Sequence, residues 1–189
     1  MLRSPLFWVC VYLMGYITVI VIFSSAKRLN WVGSNIPKPL MRVFMLSTFI
    51  APPVILPFTE GPKITIPTPA AIAVGIILIA GSFIIRIIAQ RLIGALSALK
   101  GKAELITTGI YGISRHPLYL GNFIFAAGMA ILFRSMYAFL FSILYGILYL
   151  LIIHFEERDL FAKYGEEYAK YRRDVGMVFP SIKISKSKY

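Results

Sequence analysis

The residues best suited to chemistry lie in two polar blocks set among long apolar runs. The first, ELITTGIYGISRHPLYLG, runs from Glu104 to Gly121 and carries Arg115 and one of the chain's two histidines. The second, His154 to Pro180, opens with HFEERDL and holds six of the eight acidic residues. A polar group beside a membrane span is costly unless it is solvated, paired or functional, so two such blocks on one face define a candidate site. Ser114 can cap a helix that begins at Arg115 and carries Pro117 in its first turn, where a missing N–H costs little. The positive end of that helix, with the forked donors of Arg115, would favour a carboxylate or phosphate. His116 and Tyr119 would project near the same point, and Gly109 and Gly112 would let the preceding loop fold close. Read this far, the residues point to an anionic ligand at a membrane interface. Two histidines and one adjacent acid pair offer no repeated ligand spacing, so no metal is expected.

The elements that must position these residues are set by composition. Hydrophobic residues make up 58% of the 189-residue chain and charged residues only 15%, against about 25% in soluble domains. With a mean hydropathy of +0.77, the chain reads as an all-α integral membrane protein of one domain, residues 1–189. The net charge of +12 is spread between apolar runs and not gathered into a patch. That pattern suits anchoring on anionic lipid and argues against nucleic acid. Cys10 stands alone inside the first run, which excludes an internal disulfide.

About five transmembrane helices are expected, near 6–23, 43–58, 70–88, 118–133 and 136–153, since roughly 20 apolar residues cross a bilayer core. Pro52, Pro53 and Pro57 make the second bend or end near Ala51. Arg86 and Arg91 place the end of the third at a headgroup surface, where long cations snorkel. Only Arg134 and Ser135 separate the last two, which demands an antiparallel hairpin. Counting spans puts Lys27, Arg28, Lys38, Arg42, Arg91, Lys100, Lys102 and Arg115 on one side, with Arg3, Lys63 and Arg134 on the other. The positive-inside rule makes the first side cytoplasmic, together with the C-terminus and the candidate site. Beyond the last span, Phe161, Tyr164, Tyr168, Tyr171 and Val175 recur at helical spacing. They predict an amphipathic helix within the 154–180 tail, interrupted at Gly165 and able to lie on headgroups. Lys183, Lys186 and Lys188 read as a basic end.

The ordered pair G-I-Y-x-x-x-R-H-P-x-Y-x-G (Gly109 to Gly121) and E-E-R-D-L-x-x-x-x-G-E-E-Y-x-x-Y-R (Glu156 to Arg172), with a hairpin between them and a closing Pro180, resembles the isoprenylcysteine carboxyl methyltransferase and phospholipid methyltransferase superfamily. The resemblance covers roughly residues 86 to 180. It implies a membrane-embedded methyltransferase that binds S-adenosylmethionine in a cytoplasmic pocket built from the 104–121 segment and the C-terminal block. It assigns Leu105, Ile106, Gly109, Tyr111, Arg115, His116, Tyr119, Gly121, Glu156 and Glu157 to cofactor binding, with Glu157 and His116 also catalytic. On this reading the methionine carboxylate suits Arg115 and the helix end. The ribose hydroxyls and ammonium suit Glu156 or Glu157, and the sulfonium suits an aromatic face. In-line methyl transfer needs mainly proximity, orientation and desolvation.

The partners implied are membrane lipid and a lipophilic methyl acceptor, as for protein-S-isoprenylcysteine O-methyltransferases. Ala103 stands where many members have His, and Ile152 where the carboxyl-methylating branch has Arg. These departures keep a phospholipid amine or a small thiol open as acceptor. A nicotinamide-dependent membrane reductase and a non-enzymatic membrane scaffold are the rivals outside this class, and oligomeric state is not readable.

Overall fold

The computed structural model describes residues 4–23, 50–100 and 104–179. The 24–42 loop with its cations, the start of the second apolar run, Lys102, Ala103, Pro180 and the basic end lie outside the described residues. Those described are helical, with isolated bridges in place of strands. The helices are α1 (Pro5–Phe23), α2 (Ala51–Ile55), α3 (Thr68–Lys100), α4 (Pro117–Leu132), α5 (Met136–Tyr164) and α6 (Glu166–Asp174). Short 3-10 turns cover Leu56–Phe58 and Gly109–Gly112.

Within α3 (Thr68–Gly94) and α5 the chain has two helices long and apolar enough to cross a membrane by length and composition. The apolar parts of α1 and α4, Pro5–Thr18 and Pro117–Leu132, are shorter. Of the five expected crossings, two are therefore met by helices of sufficient length. In the second run, the described part is a five-residue helix and a 3-10 turn. Its paired prolines sit in a first turn, where no intrahelical N–H is required.

The third helix runs well past the expected end at residue 88. Its continuation, AQRLIGALSALK, is mostly strong helix formers, and Gly94 alone does not stop it. Likewise α5 continues beyond Ile153 through the acidic residues to Tyr164, so Glu156 and Glu157 stand on a continuous helix and not in a separate tail. The break falls at Gly165, whose φ of 53° is left-handed and suits a residue without Cβ. From there α6 starts with Glu166 and Glu167 and ends with Arg172 and Arg173, each sign opposing the helix dipole.

The chain divides into two compact units, 1–81 with 123–155 and 82–122 with 156–189. In the first, α1 contributes more than a lipid-facing surface. Tyr12 and Tyr16 are buried, and Tyr12 packs against Phe141 and Tyr145 with ring centroids 4.9 and 5.3 Å away. The Tyr16 hydroxyl donates to the Leu148 carbonyl at 2.8 Å. Leu6, Met14 and Ile17 on the same helix stay exposed, as suits side chains facing lipid.

The expected hairpin between α4 and α5 is tight. Arg134 adopts a φ of 53°, and Ser135 N–H donates to Ala130 O at 2.9 Å. Ser135 Oγ accepts from Ala138 N–H at 3.3 Å, capping α5. The Arg134 guanidinium donates to Ile64 O and Thr68 Oγ1, tying the hairpin to the loop before α3.

Candidate functional site

The second unit contains all the residues singled out for chemistry. Its framework is a cross-link between the R-H-P segment and the chain after α6. Arg115 N–H donates to Gly176 O at 3.0 Å and His116 N–H to Met177 O at 3.1 Å, while Ser114 pairs with Gly176 as an isolated parallel bridge. Ser114 Oγ donates to Met177 O at 3.4 Å and accepts from His116 N–H at 3.3 Å.

These bonds correct the expected helix start. The helix begins at Pro117, and the N–H groups of Arg115 and His116, expected to face an anion, are taken by carbonyls of the C-terminal segment. The physical reason is that buried N–H groups need partners, and the extended chain at 175–177 supplies them.

Arg115 is also committed. Its Nε lies 2.7 Å and its Nη2 2.6 Å from Glu157 Oε1, and Nη1 donates to the carbonyls of Arg172 (2.9 Å) and Val175. Both side chains are 6% exposed. A guanidinium buried this deeply requires a carboxylate and carbonyls around it, and here it has them. The forked donors expected to bind an external anion are directed at the protein itself.

His116, equally buried, places Nε2 3.3 Å from the same Glu157 oxygen and Nδ1 3.8 Å from Glu156 Oε2. Its ring lies 5.8 Å from that of Tyr119. Glu157 therefore receives Arg115 and His116 together, with Arg172 Nε 3.7 Å from its other oxygen.

In front of this pair is a cavity of about 220 Å³. Leu105, Ile106, Tyr111, Arg115, His116, Tyr119 and Glu156 line it, as do Glu104, Pro117, Leu118 and Leu160. Of the residues assigned from sequence, Gly109, Gly121 and Glu157 do not line it. Gly109 serves the backbone, with a φ of 60° at the loop turn. Gly121 serves helix packing, since a Cβ there would lie 2.7 Å from Arg86 Cγ and 3.3 Å from Ser82 O. The stem of Arg86 lies over Gly121. Glu157 stands behind Arg115 and His116.

The sequence reading missed Tyr164, Tyr168 and Tyr171 as pocket walls. Helical spacing alone suits a surface lying on headgroups equally well. In the structure, Tyr168, Tyr171 and Val175 are buried together against Leu105, Leu160 and Tyr164, so this face of α6 packs inward. The Tyr171 hydroxyl donates to Tyr111 O at 2.6 Å, fixing α6 to the 3-10 turn. Burial pushes the Tyr171 phenol up to about 12. Burial, then the nearby Glu156 charge, raises that of Tyr111. Both rings therefore stay neutral and present aromatic faces.

Long apolar helices and a buried histidine–carboxylate cluster beside aromatic walls define a helical membrane protein with a chemically equipped pocket. Residues 70–167 match the model of the phospholipid methyltransferase family, and the chain belongs to that family. The superfamily resemblance carried by the two motifs is met by this match. The chain is 37% identical over 79 residues to the protein-S-isoprenylcysteine O-methyltransferase of Schizosaccharomyces pombe, covering 41% of this chain and 34% of that protein. It is 38% identical over 76 residues to a methanethiol S-methyltransferase of Crocosphaera subtropica, covering 40% and 29%. A third relative, 31% identical over 85 residues, is the nickel-cobalt-cadmium resistance protein NccN of Alcaligenes xylosoxydans xylosoxydans, covering 44% and 39%. The matched region spans about a third of the length of these relatives.

Proposed function

We propose that the chain is an S-adenosylmethionine-dependent methyltransferase acting on a lipophilic acceptor at the membrane interface. The observation that carries this reading is the pocket's chemistry. Five tyrosines and the carboxylate of Glu156 surround it, in a chain of a methyltransferase family. Neutral aromatic faces attract a sulfonium through the ring quadrupole, and Glu156 suits an ammonium or a pair of ribose hydroxyls. Leu105 and Ile106 supply apolar wall for an adenine ring. Because Arg115 is engaged by Glu157, its role in this reading is to shape the pocket and not to grip the methionine carboxylate. Leu118 and Leu160 at the pocket wall suit an acceptor whose apolar tail remains in the bilayer. The site is read as cytoplasmic from the bias of Lys and Arg between loops.

Incubating the purified protein with methyl-labelled S-adenosylmethionine and a lipid extract, then identifying labelled product by mass spectrometry, tests the activity. Calorimetry with S-adenosylhomocysteine tests the pocket. Glu156→Gln is expected to weaken binding by about 1.5–3 kcal/mol, the scale of a hydrogen bond to a charged group. Binding left unchanged in both Glu156→Gln and Tyr111→Ala, or binding of NADPH in its place, would sink the reading.

A further inference from the structure

We propose that the groove between α1 and the first turns of α5 holds one acyl chain of an anionic phospholipid, whose phosphate group sits at Lys63 and Arg134. The site is separate from the pocket given to methyl transfer and does not rest on that reading. All its residues fall within the first compact unit, 1–81 with 123–155.

The groove has a volume of about 420 Å³, within the range of roughly 300–1,000 Å³ at which small molecules are held. Leu6 and Val9 line it from α1, Leu140 and Leu144 from α5. Buried Leu56 and Phe141 form its floor. Among the described residues lining it, only Ser4 and Tyr137 bring polar side-chain atoms. A water molecule needs two to four polar partners to settle in a cavity, and these walls offer few. The occupant that suits them is therefore apolar.

The groove is continuous with the lipid-facing surface. Leu6 is 72% exposed and Leu140 54%, so it opens sideways between the two helices. From Leu6 an exposed stripe runs on through Cys10, Met14 and Ile17 at steps of three and four residues along α1. From Leu140 another runs through Ile143, Ile147 and Leu151 along α5, a helix long and apolar enough to cross a membrane. Stripes of this kind on a spanning helix meet acyl chains. The groove carries that surface inward, and a chain lying along either stripe can enter it from the side.

The hairpin end of the groove supplies the charge. Met136 N–H donates to Pro62 O at 3.1 Å and Ile64 N–H to Arg134 O at 2.7 Å, while Lys63 pairs with Ser135 as an isolated antiparallel bridge. These bonds bring Lys63 and Arg134 to the start of α5, beside Tyr137 at the mouth of the groove. The Tyr137 ring packs on Gly61, where it occupies the space a Cβ would take, and an exposed tyrosine at the end of a span marks the headgroup level. Arg134 donates to Ile64 O and Thr68 Oγ1, neutral oxygens that leave its charge uncancelled. Lys63 is exposed. Glu60, the acid of the same loop, opposes one of these two cations, so the three together stay positive. A lipid with a net negative headgroup suits that end better than one that cancels its own charge.

The test uses the full chain in phosphatidylcholine nanodiscs doped with phosphatidylglycerol that carries a diazirine on one acyl chain. Photolabelling of the peptide spanning residues 137–144 is read by mass spectrometry. Labelling is expected to saturate as the doped fraction rises, and to be displaced by unlabelled phosphatidylglycerol at lower concentration than by added phosphatidylcholine. Val9→Trp, which fills the groove, should cut labelling of this peptide by about tenfold or more and leave that of the exposed stripe at 147–151 unchanged. Lys63→Gln should raise the concentration needed for half-saturation about fivefold, the scale of one cation near an anionic headgroup.

Labelling that grows in proportion to the doped fraction without saturating would mean ordinary contact with surrounding lipid and would overturn the proposal. So would labelling of residues 137–144 that persists in Val9→Trp, or equal displacement by the two lipids. If native mass spectrometry instead finds dimers that Val9→Trp separates, and no saturable label, the groove is an interface between copies of the chain and the proposal falls. Should Val9→Trp not fold, saturation and displacement in the unsubstituted protein decide the matter.

Discussion

Arg115 and Glu157, 42 residues apart in sequence, form a buried ion pair in which both Nε and Nη2 of the arginine converge on one carboxylate oxygen. The remaining arginine donors reach the carbonyls of Arg172 and Val175, so this one side chain ties α5, the end of α6 and the R-H-P segment together.

Removing one partner should therefore be costly. Arg115→Ala strips the buried Glu157 of its two shortest contacts, leaving His116 and Arg172 at 3.3 and 3.7 Å, and is expected to destabilise the protein by about 3 kcal/mol. Arg115→Lys keeps the charge but loses the planar fork and should recover only part of that. Denaturant titration in detergent checks the order. Equal stability of Arg115→Lys and the unsubstituted protein would mean that charge alone matters.

The bond from Tyr171 to Tyr111 predicts a smaller effect. Tyr171→Phe removes a 2.6 Å hydrogen bond while keeping the ring, and is expected to cost about 1 kcal/mol. It should also loosen the 3-10 turn before the R-H-P segment. Hydrogen exchange at the Tyr111 and Gly112 amides would report the loosening, and unchanged protection would contradict it.

Gly121 predicts a steric consequence. A Cβ there would come within 2.7 Å of Arg86 Cγ and 3.3 Å of Ser82 O, so Gly121→Val must push the α3 and α4 backbones apart. Destabilisation of about 1–3 kcal/mol is expected, the usual range for overpacking. If Arg86→Ala in the same protein does not relieve part of it, the contact with the Arg86 stem is not the cause.

Orientation in the membrane gives a prediction that does not depend on the chemistry. In a Cys10→Ser background, Gly33→Cys and Lys186→Cys should react with an impermeant thiol reagent only from the cytoplasm, and Glu60→Cys only from the other side. Labelling of position 33 from outside would show that the proline-broken second run does not cross.

The route of the acceptor gives another. Each buried methylene contributes about 0.8 kcal/mol to bilayer partitioning, so turnover should rise steeply as a methyl-acceptor series is lengthened until its tail is fully embedded. Equal rates for tailless and long-tailed acceptors would favour a water-soluble thiol and rule out entry from the bilayer.

What the sequence made legible was local. The α4–α5 hairpin follows from two polar residues between apolar runs, and the break at Gly165 from one glycine in an amphipathic pattern. His116, Glu156 and Glu157 were singled out through their motifs, and the structure sets the His116 ring 3.3 Å from Glu157 and 3.8 Å from Glu156. What was not legible depended on partners far along the chain. Nothing local to Arg115 says that Gly176, Met177, Val175 and Arg172 will use its donors, and so it was read as an anion site. The tyrosine spacing of 164, 168 and 171 was visible, but amphipathicity does not say whether the apolar face meets lipid or Leu105. That α3 and α5 run on past their apolar stretches was not legible either, since charged residues mark the end of an apolar run but not of a helix of good formers.

The pairing of Arg115 and His116 with the chain at 176 and 177 also bears on how the protein is made. Synthesis runs from the N-terminus, so the R-H-P segment leaves the ribosome some sixty residues before the carbonyls that satisfy it. Until Val175 to Met177 emerge, the guanidinium and two backbone N–H groups lack these partners and must be met by water or headgroups. A nascent chain arrested before Val175 would thus hold its motif complete in sequence yet unassembled, and the finished pocket would arrive in a single late step of biosynthesis.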